Sequence, residues 1–145
     1  MMRHATDRDV DRVVEMGRRF ITETAYAPHI PVNADKMREL AENLISSNDG
    51  LLLVWDDGAR GMSGMLGALV FEHPMSGEKV CSEMFWWVNP ESRGTVGMKM
   101  LRYMEKWAVD RGAVKMMMIA PNERVGRFYE RVGYERIETS YQRSL

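Results

Sequence analysis

The sequence predicts an α+β fold built on a mixed sheet. Three observations carry that prediction. Two amphipathic helical stretches open the chain. Three strand-like runs joined by tight polar turns follow, as in an antiparallel meander. A helix, an apolar strand and another helix then succeed one another, the order of a crossover unit. At 145 residues the chain is the length of one domain, residues 1–145. That is enough to bury a core without covalent staples. No repeat, linker or low-complexity segment divides it.

The elements follow in order. Thr6 and Asp9 have the spacing of a helix-capping pair. Val10, Val13, Val14, Gly17, Phe20 and Ile21 then recur at helical spacing, so the first helix runs to about Glu23. Tyr26–Pro31 holds two prolines and reads as a loop. Asn33 is a suitable N-cap for a second helix, whose inner stripe is Met37, Leu40, Ala41, Leu44 and Ile45. Leu51–Trp55 reads as a strand, Asp56–Gly58 as a turn and Gly64–Glu72 as the return strand. His73–Glu78, with Pro74 and Gly77, turns the chain into a third strand, Lys79–Val88. Met98–Arg111 is a helix with Met100, Leu101, Met104, Trp107 and Ala108 inward, and Gly112 stands at its C-cap. Val114–Ala120 is apolar enough for a strand buried on both faces. Pro121 and Asn122 open a last helix with Val125, Phe128, Tyr129 and Val132 inward, closed by Gly133. Glu135–Leu145 is expected to add a final strand.

Composition excludes several classes. Twenty basic residues against twenty-one acidic give a formal charge of −1. That speaks against nucleic acid or an anionic membrane as a partner. One cysteine, Cys81, precludes an internal disulfide and a cysteine-rich zinc site. The three histidines, His4, His29 and His73, lack metal-ligand spacing. No apolar run approaches the roughly 20 residues that cross a bilayer, and no signal-peptide core is present. A soluble, cytoplasmic protein is expected.

The segment richest in chemistry is the strand–turn–helix from Ser82 to Arg111. Its strand ends Trp87-Val88-Asn89-Pro90, and its turn reads Glu91-Ser92-Arg93-Gly94-Thr95-Val96-Gly97. Free backbone N–H groups at a helix start, with glycines beside them, make an anion site. Arg93 adds a charged donor. An ordinary glycine-containing turn would read the same way.

Val88-Asn89-Pro90-Glu91-Ser92-Arg93-Gly94, followed by a glycine and a long helix ending Arg111-Gly112-Ala113, resembles the acetyl-CoA motif of the GNAT family of N-acetyltransferases. The run from Asn122 to Tyr134, with Gly126-Arg127-Phe128-Tyr129 at its centre, resembles that family's other hallmark. Arg3–Asp7 also fits the family's opening. The loop departs from the family pattern: counted from Arg93, its glycine positions hold Val96 and Met98, and a one-residue deletion restores Gly97. The resemblance implies two splayed parallel strands within a largely antiparallel sheet flanked by about four helices. It implies acetyl-CoA as cosubstrate. The pantetheine would lie along Trp87 and Val88, and the pyrophosphate on Arg93, Gly94, Thr95, Val96, Gly97 and Met98. Asn122 would lie by the pantetheine and Tyr129 near the thioester sulfur.

Amine acetylation needs a base, because a lysine-like amine is mostly protonated at neutral pH. Glu83, a carboxylate inside the apolar run Cys81–Trp87, is the first candidate, and Glu72 the second. A cross-strand ion pair is the competing reading of Glu83. Tyr129 is the candidate acid for the leaving thiolate, or else a core tyrosine. Cys81 reads as a buried thiol rather than a nucleophile. Trp86 and Trp87 should point to opposite faces, unless a bulge breaks the alternation. Glu23, Tyr26, His29, His73 and Glu78 are surface residues that could also border an acceptor site. Arg124, Arg127 and Arg131 read as a solvated helix face.

The expected function is acetyl transfer from acetyl-CoA to a primary amine of a small molecule or peptide, by direct attack in a ternary complex. The alternatives are a non-catalytic acyl-CoA sensor or interaction module and, more weakly, a scaffold without ligand. A homodimer completing the sheet edge is an open alternative to a monomer.

Overall fold

A computed structural model describes residues 1–145. Its sheet has five strands in the order β1-β2-β3-β4-β5: Met2–His4, Gly50–Asp56, Met62–Glu72, Lys79–Val88 and Lys115–Met117. The first four are antiparallel neighbours, and β5 lies parallel to β4. Four helices flank the sheet: α1 Val10–Thr22, α2 Ala34–Ser46, α3 Thr95–Asp110 and α4 Glu123–Arg131.

The sheet separates two cores. One packs Val13, Val14 and Met16 of α1 and Ala41 and Leu44 of α2 against Leu52, Val54, Met65 and Trp87. The other packs α3 against Leu51, Leu53, Leu66 and Cys81. The five α3 residues expected inward from the helical period are the five that are buried. Arg3 ties the start of the chain together. Its guanidinium grips Asp9 at 2.7 and 2.9 Å and Asp56 at 2.9 Å, joining β1, the entry to α1 and the end of β2.

Four expectations need correction. The segment Glu135–Leu145 forms no strand. Its apolar residues Ile137, Tyr141 and Leu145 come only once in four, too sparse for the alternation of a half-buried strand, and all three stay exposed. The Val114–Ala120 stretch yields only three strand residues, and it is not buried on both faces. Val114 is 64% exposed and Ile119 52%, because β5 is the outermost strand. Helix α3 begins at Thr95, three residues earlier than Met98. In α4 only Tyr129 is buried, and Val132 lies exposed past the helix end.

Candidate functional site

The site begins where two strands part. β4 and β5 are paired only through Val80–Ser82 and Lys115–Met117. β5 then ends, while β4 runs on to Val88. From Glu83 onward the outer edge of β4 faces a wedge. A bulge sits at the same place: Ala68 opposes Glu83, Gly67 opposes Phe85, and Met84 between them has no partner. The Phe85 ring covers Gly67 so closely that a Cβ there would fall 2.5 Å from it. Trp86 and Trp87 diverge as the alternation requires, Trp86 toward the α3 core and Trp87 into the α1–α2 core.

Two side chains meet across the wedge at one residue. Glu83 is 6% exposed, and its carboxylate accepts the Ile119 N–H at 3.1 Å. The Tyr129 hydroxyl donates to the Ile119 carbonyl at 3.2 Å. Burial pushes the Glu83 carboxyl from its usual 4.5 up to about 7, with the Ile119 N–H pulling weakly the other way. Burial, and then the Glu83 charge, lifts Tyr129 well above the ordinary phenol range, so it keeps its proton. The Tyr129 ring stacks on Trp86 with centroids 6.5 Å apart. The Trp86 Nε1–H and the Tyr134 hydroxyl are buried with no hydrogen-bond partner.

The loop end of the wedge is set by backbone. Gly94 adopts φ 128° and ψ −121°, a conformation that favours glycine, and open space surrounds the position of its missing Cβ. Helix α3 starts next with no side-chain cap, leaving the N–H groups of Thr95, Val96 and Gly97 as its free donors. Val96 and Met98 turn their side chains against the α3-side core. A Cβ on Gly97 would meet Trp86 at 3.2 Å, so this glycine also admits the indole. The Asn89 N–H donates to Ser63 on β3, so a planar peptide turns the Val88 carbonyl into the wedge. Arg93 Nε donates to that carbonyl at 3.0 Å. The uncapped helix start, the open cradle at Gly94 and the unpartnered Trp86 donor fit an elongated phosphate-bearing thioester such as acetyl-CoA.

Other candidates are placed elsewhere. The Trp87 side chain lies on the far face, donating to Asn89 Oδ1 at 3.0 Å with Arg19 and Arg93 over its ring. Asn122 caps α4 through the Val125 N–H at 3.0 Å. Glu72 faces Lys79 at the closed end of the hairpin, away from the wedge. Glu78 pairs with Lys115, and His73 accepts the Met75 N–H within its own turn. Arg19 takes up Glu23. Burial raises the Cys81 thiol to about 11, so it holds its proton. No group of His, Cys, Asp and Glu is placed to hold a metal ion, and no helix is long and apolar enough to cross a membrane.

Two hollows flank these groups. The larger, about 530 Å³, lies behind the loop between Trp55, Asp57, Arg60 and Glu91, and neither Glu83 nor Tyr129 lines it. The smaller, about 250 Å³, lies between α1, α2 and the bulge at Met84. Sequence reading did not find this groove or Ile119. Ile119 acts through its backbone, which has no residue signature. The groove is assembled from four separated stretches of chain.

The pattern of the Acetyltransferase (GNAT) family matches residues 18–134. No curated protein matches the chain by sequence. Among solved structures it is similar to a transcriptional regulator from Bacillus halodurans, with TM-score 0.80, 16% identity and coverage of 100% of this chain and 99% of that one. It is similar to an acetyltransferase from Trypanosoma brucei, with TM-score 0.76, 16% identity and coverage of 100% and 99%. It is also similar to an aminoglycoside 6'-N-acetyltransferase from Acinetobacter haemolyticus, with TM-score 0.77, 15% identity and coverage of 100% and 97%. At such identities the structures speak for the fold. With the family pattern spanning most of the sequence, and a wedge opening where two parallel strands part, the chain belongs to the GNAT acetyltransferase family.

Proposed function

We propose that this chain transfers an acetyl group from acetyl-CoA to a primary amine by direct attack in a ternary complex. The observation that carries the reading is the meeting of Glu83 and Tyr129 at Ile119, inside the wedge. A carboxyl at about 7 is half ionised near neutral pH, where a general base works best. A tyrosine that keeps its proton is a general acid in reserve.

When bound, acetyl-CoA supplies the acyl thioester. The first turn of α3, from Thr95 to Met98, and Arg93 hold its pyrophosphate, and the outer edge of β4 around Val88 holds its pantetheine. Arg93 must first leave the Val88 carbonyl. Glu83 takes a proton from the acceptor ammonium, directly or through a water. The freed amine attacks the thioester carbonyl and the C–S bond breaks. Tyr129 releases its O–H from the Ile119 carbonyl, gives that proton to the departing sulfur and is reprotonated by the second proton that the attacking nitrogen sheds. No covalent intermediate on a cysteine or serine is required. The acceptor is a small molecule or a peptide amine, the former class including the aminoglycosides that the name of one structural neighbour specifies.

One observation favours a second reading. The coenzyme loop is altered, with Val96 and Met98 at the glycine positions counted from Arg93, as suits an acyl-CoA sensor or interaction module with little catalysis. Calorimetric titration with acetyl-CoA, against desulfo-CoA and ATP, tests the binding common to both readings. An amine screen then separates them. Turnover lost in both Glu83→Gln and Tyr129→Phe supports the transferase. Tight binding with no turnover supports the sensor, and no binding at near-millimolar acetyl-CoA overturns both.

A further inference from the structure

The groove beside the bulge has a chemistry of its own. Nine of its ten lining residues are hydrophobic, among them Phe20, Met37, Met65, Met84 and Phe85. The tenth is Gly17, whose lack of a side chain admits the Met37 sulfur, which a Cβ there would meet at 3.1 Å. Met84, the bulged residue, is 43% exposed at the rim, and Ile30 stands there too. The groove lies near the candidate base: Met84 follows Glu83 in β4, and Tyr26, whose pKa is raised by burial and then by the Glu83 charge, packs on Phe20 with centroids 5.4 Å apart.

Size and charge restrict the occupant. A cavity on the order of 150 Å³ already admits benzene. At about 250 Å³ the groove takes one compact hydrocarbon group and is too small for several sugar rings. A polyamine or aminoglycoside carries several positive charges that need several free carboxylates. Glu83 is the carboxylate adjoining this groove in β4, while Glu23 at the end of α1 is bound to Arg19. Arg93, over the Trp87 ring behind Phe20, adds like charge against a polycation.

We propose that the acceptor is a small, singly charged primary amine bearing one branched or aromatic hydrocarbon group, which seats in the groove between α1, α2 and Met84. This rests on the transferase reading of the wedge and names the substrate class of that site. Burying the hydrocarbon supplies the binding energy, and Glu83 receives the amine end.

The groove methionines make the test direct. Protein labelled with carbon-13 at the methionine methyls is titrated with isoamylamine and phenethylamine, and separately with spermidine and kanamycin. The expected result is movement of the Met37, Met65 and Met84 signals with the first pair only. Turnover with acetyl-CoA should favour phenethylamine over spermidine by at least about tenfold in kcat/KM. Gly17→Leu, which fills the groove from α1, should raise KM for phenethylamine by about tenfold and leave the Met98 response to acetyl-CoA intact. Unmoved groove signals at near-millimolar apolar amine, in protein whose Met98 signal answers acetyl-CoA, would overturn the proposal alone. So would equal or faster turnover of spermidine or kanamycin. Groove signals that answer the apolar amines in protein blind to acetyl-CoA would sustain the ligand class while sinking the transferase reading.

Discussion

Glu83 is a carboxylate placed where ionisation is costly, and that has two measurable consequences. If it is the base, kcat/KM for an amine rises with pH through an apparent pKa near 7, and Glu83→Gln removes that limb and lowers the rate by about 10²–10⁴. Its folded pKa lies above the unfolded value of 4.5, so the folded state binds the proton more tightly. The stability this confers is fully present below about 4.5 and is lost as pH rises through about 7. The loss amounts to about 3 kcal/mol. Chemical denaturation at pH 5 and pH 8 should show that slope in the native protein and not in Glu83→Gln. Asp9 acts oppositely: Arg3 lowers its pKa, so its contribution is present above the unfolded value and fails as pH falls through the lower folded one. Glu83 was legible in the sequence because a lone acid inside Cys81–Trp87 had to be paired, exposed or used. Tyr129 was legible as a residue but not as a partner of Glu83, since their meeting point is a peptide group.

At the scale of elements, the α3 stripe was readable because its helical period is uninterrupted over four turns. The start of α3 was not, because Thr95, Val96 and Gly97 are weak helix formers that the loop geometry nonetheless recruits. That geometry depends on Gly94. Gly94→Ala places a Cβ at φ 128° and should cost roughly 1–3 kcal/mol of stability, although no neighbour would be struck. It should also weaken acetyl-CoA binding, by calorimetry, more than Thr95→Ser does. Unchanged affinity in a folded Gly94→Ala protein would detach the loop from the coenzyme. β5 was misread for a physical reason. An apolar run such as Val114–Ala120 signals burial, but half of this one borders the wedge, where apolar residues line a cleft rather than fill a core.

At the scale of the molecule, the sheet keeps two separate tasks on its two faces. The α1–α2 face carries the apolar groove, and the α3–α4 face carries Tyr129, Trp86 and the loop. Glu83 lies between them, where β4 and β5 part. Element order made this plan legible over most of the chain. The tail was overread, since Glu135–Leu145 contributes little beyond Arg136 to Glu123 and Gln142 to the His29 carbonyl. Removing residues 137–145 should therefore alter stability by less than about 0.5 kcal/mol in a denaturant titration. A larger loss would mean that the tail packs in solution.

Past Met117 the chain lacks a ladder to hold it, and Ile119 is tethered by two side chains instead. Its amide hydrogen is consequently a reporter of the cleft's readiness. Deuterium should replace it slowly while Glu83 and Tyr129 are at rest. An occupant that draws the carboxylate away leaves that hydrogen open to solvent, so its exchange quickens as the protein prepares to act.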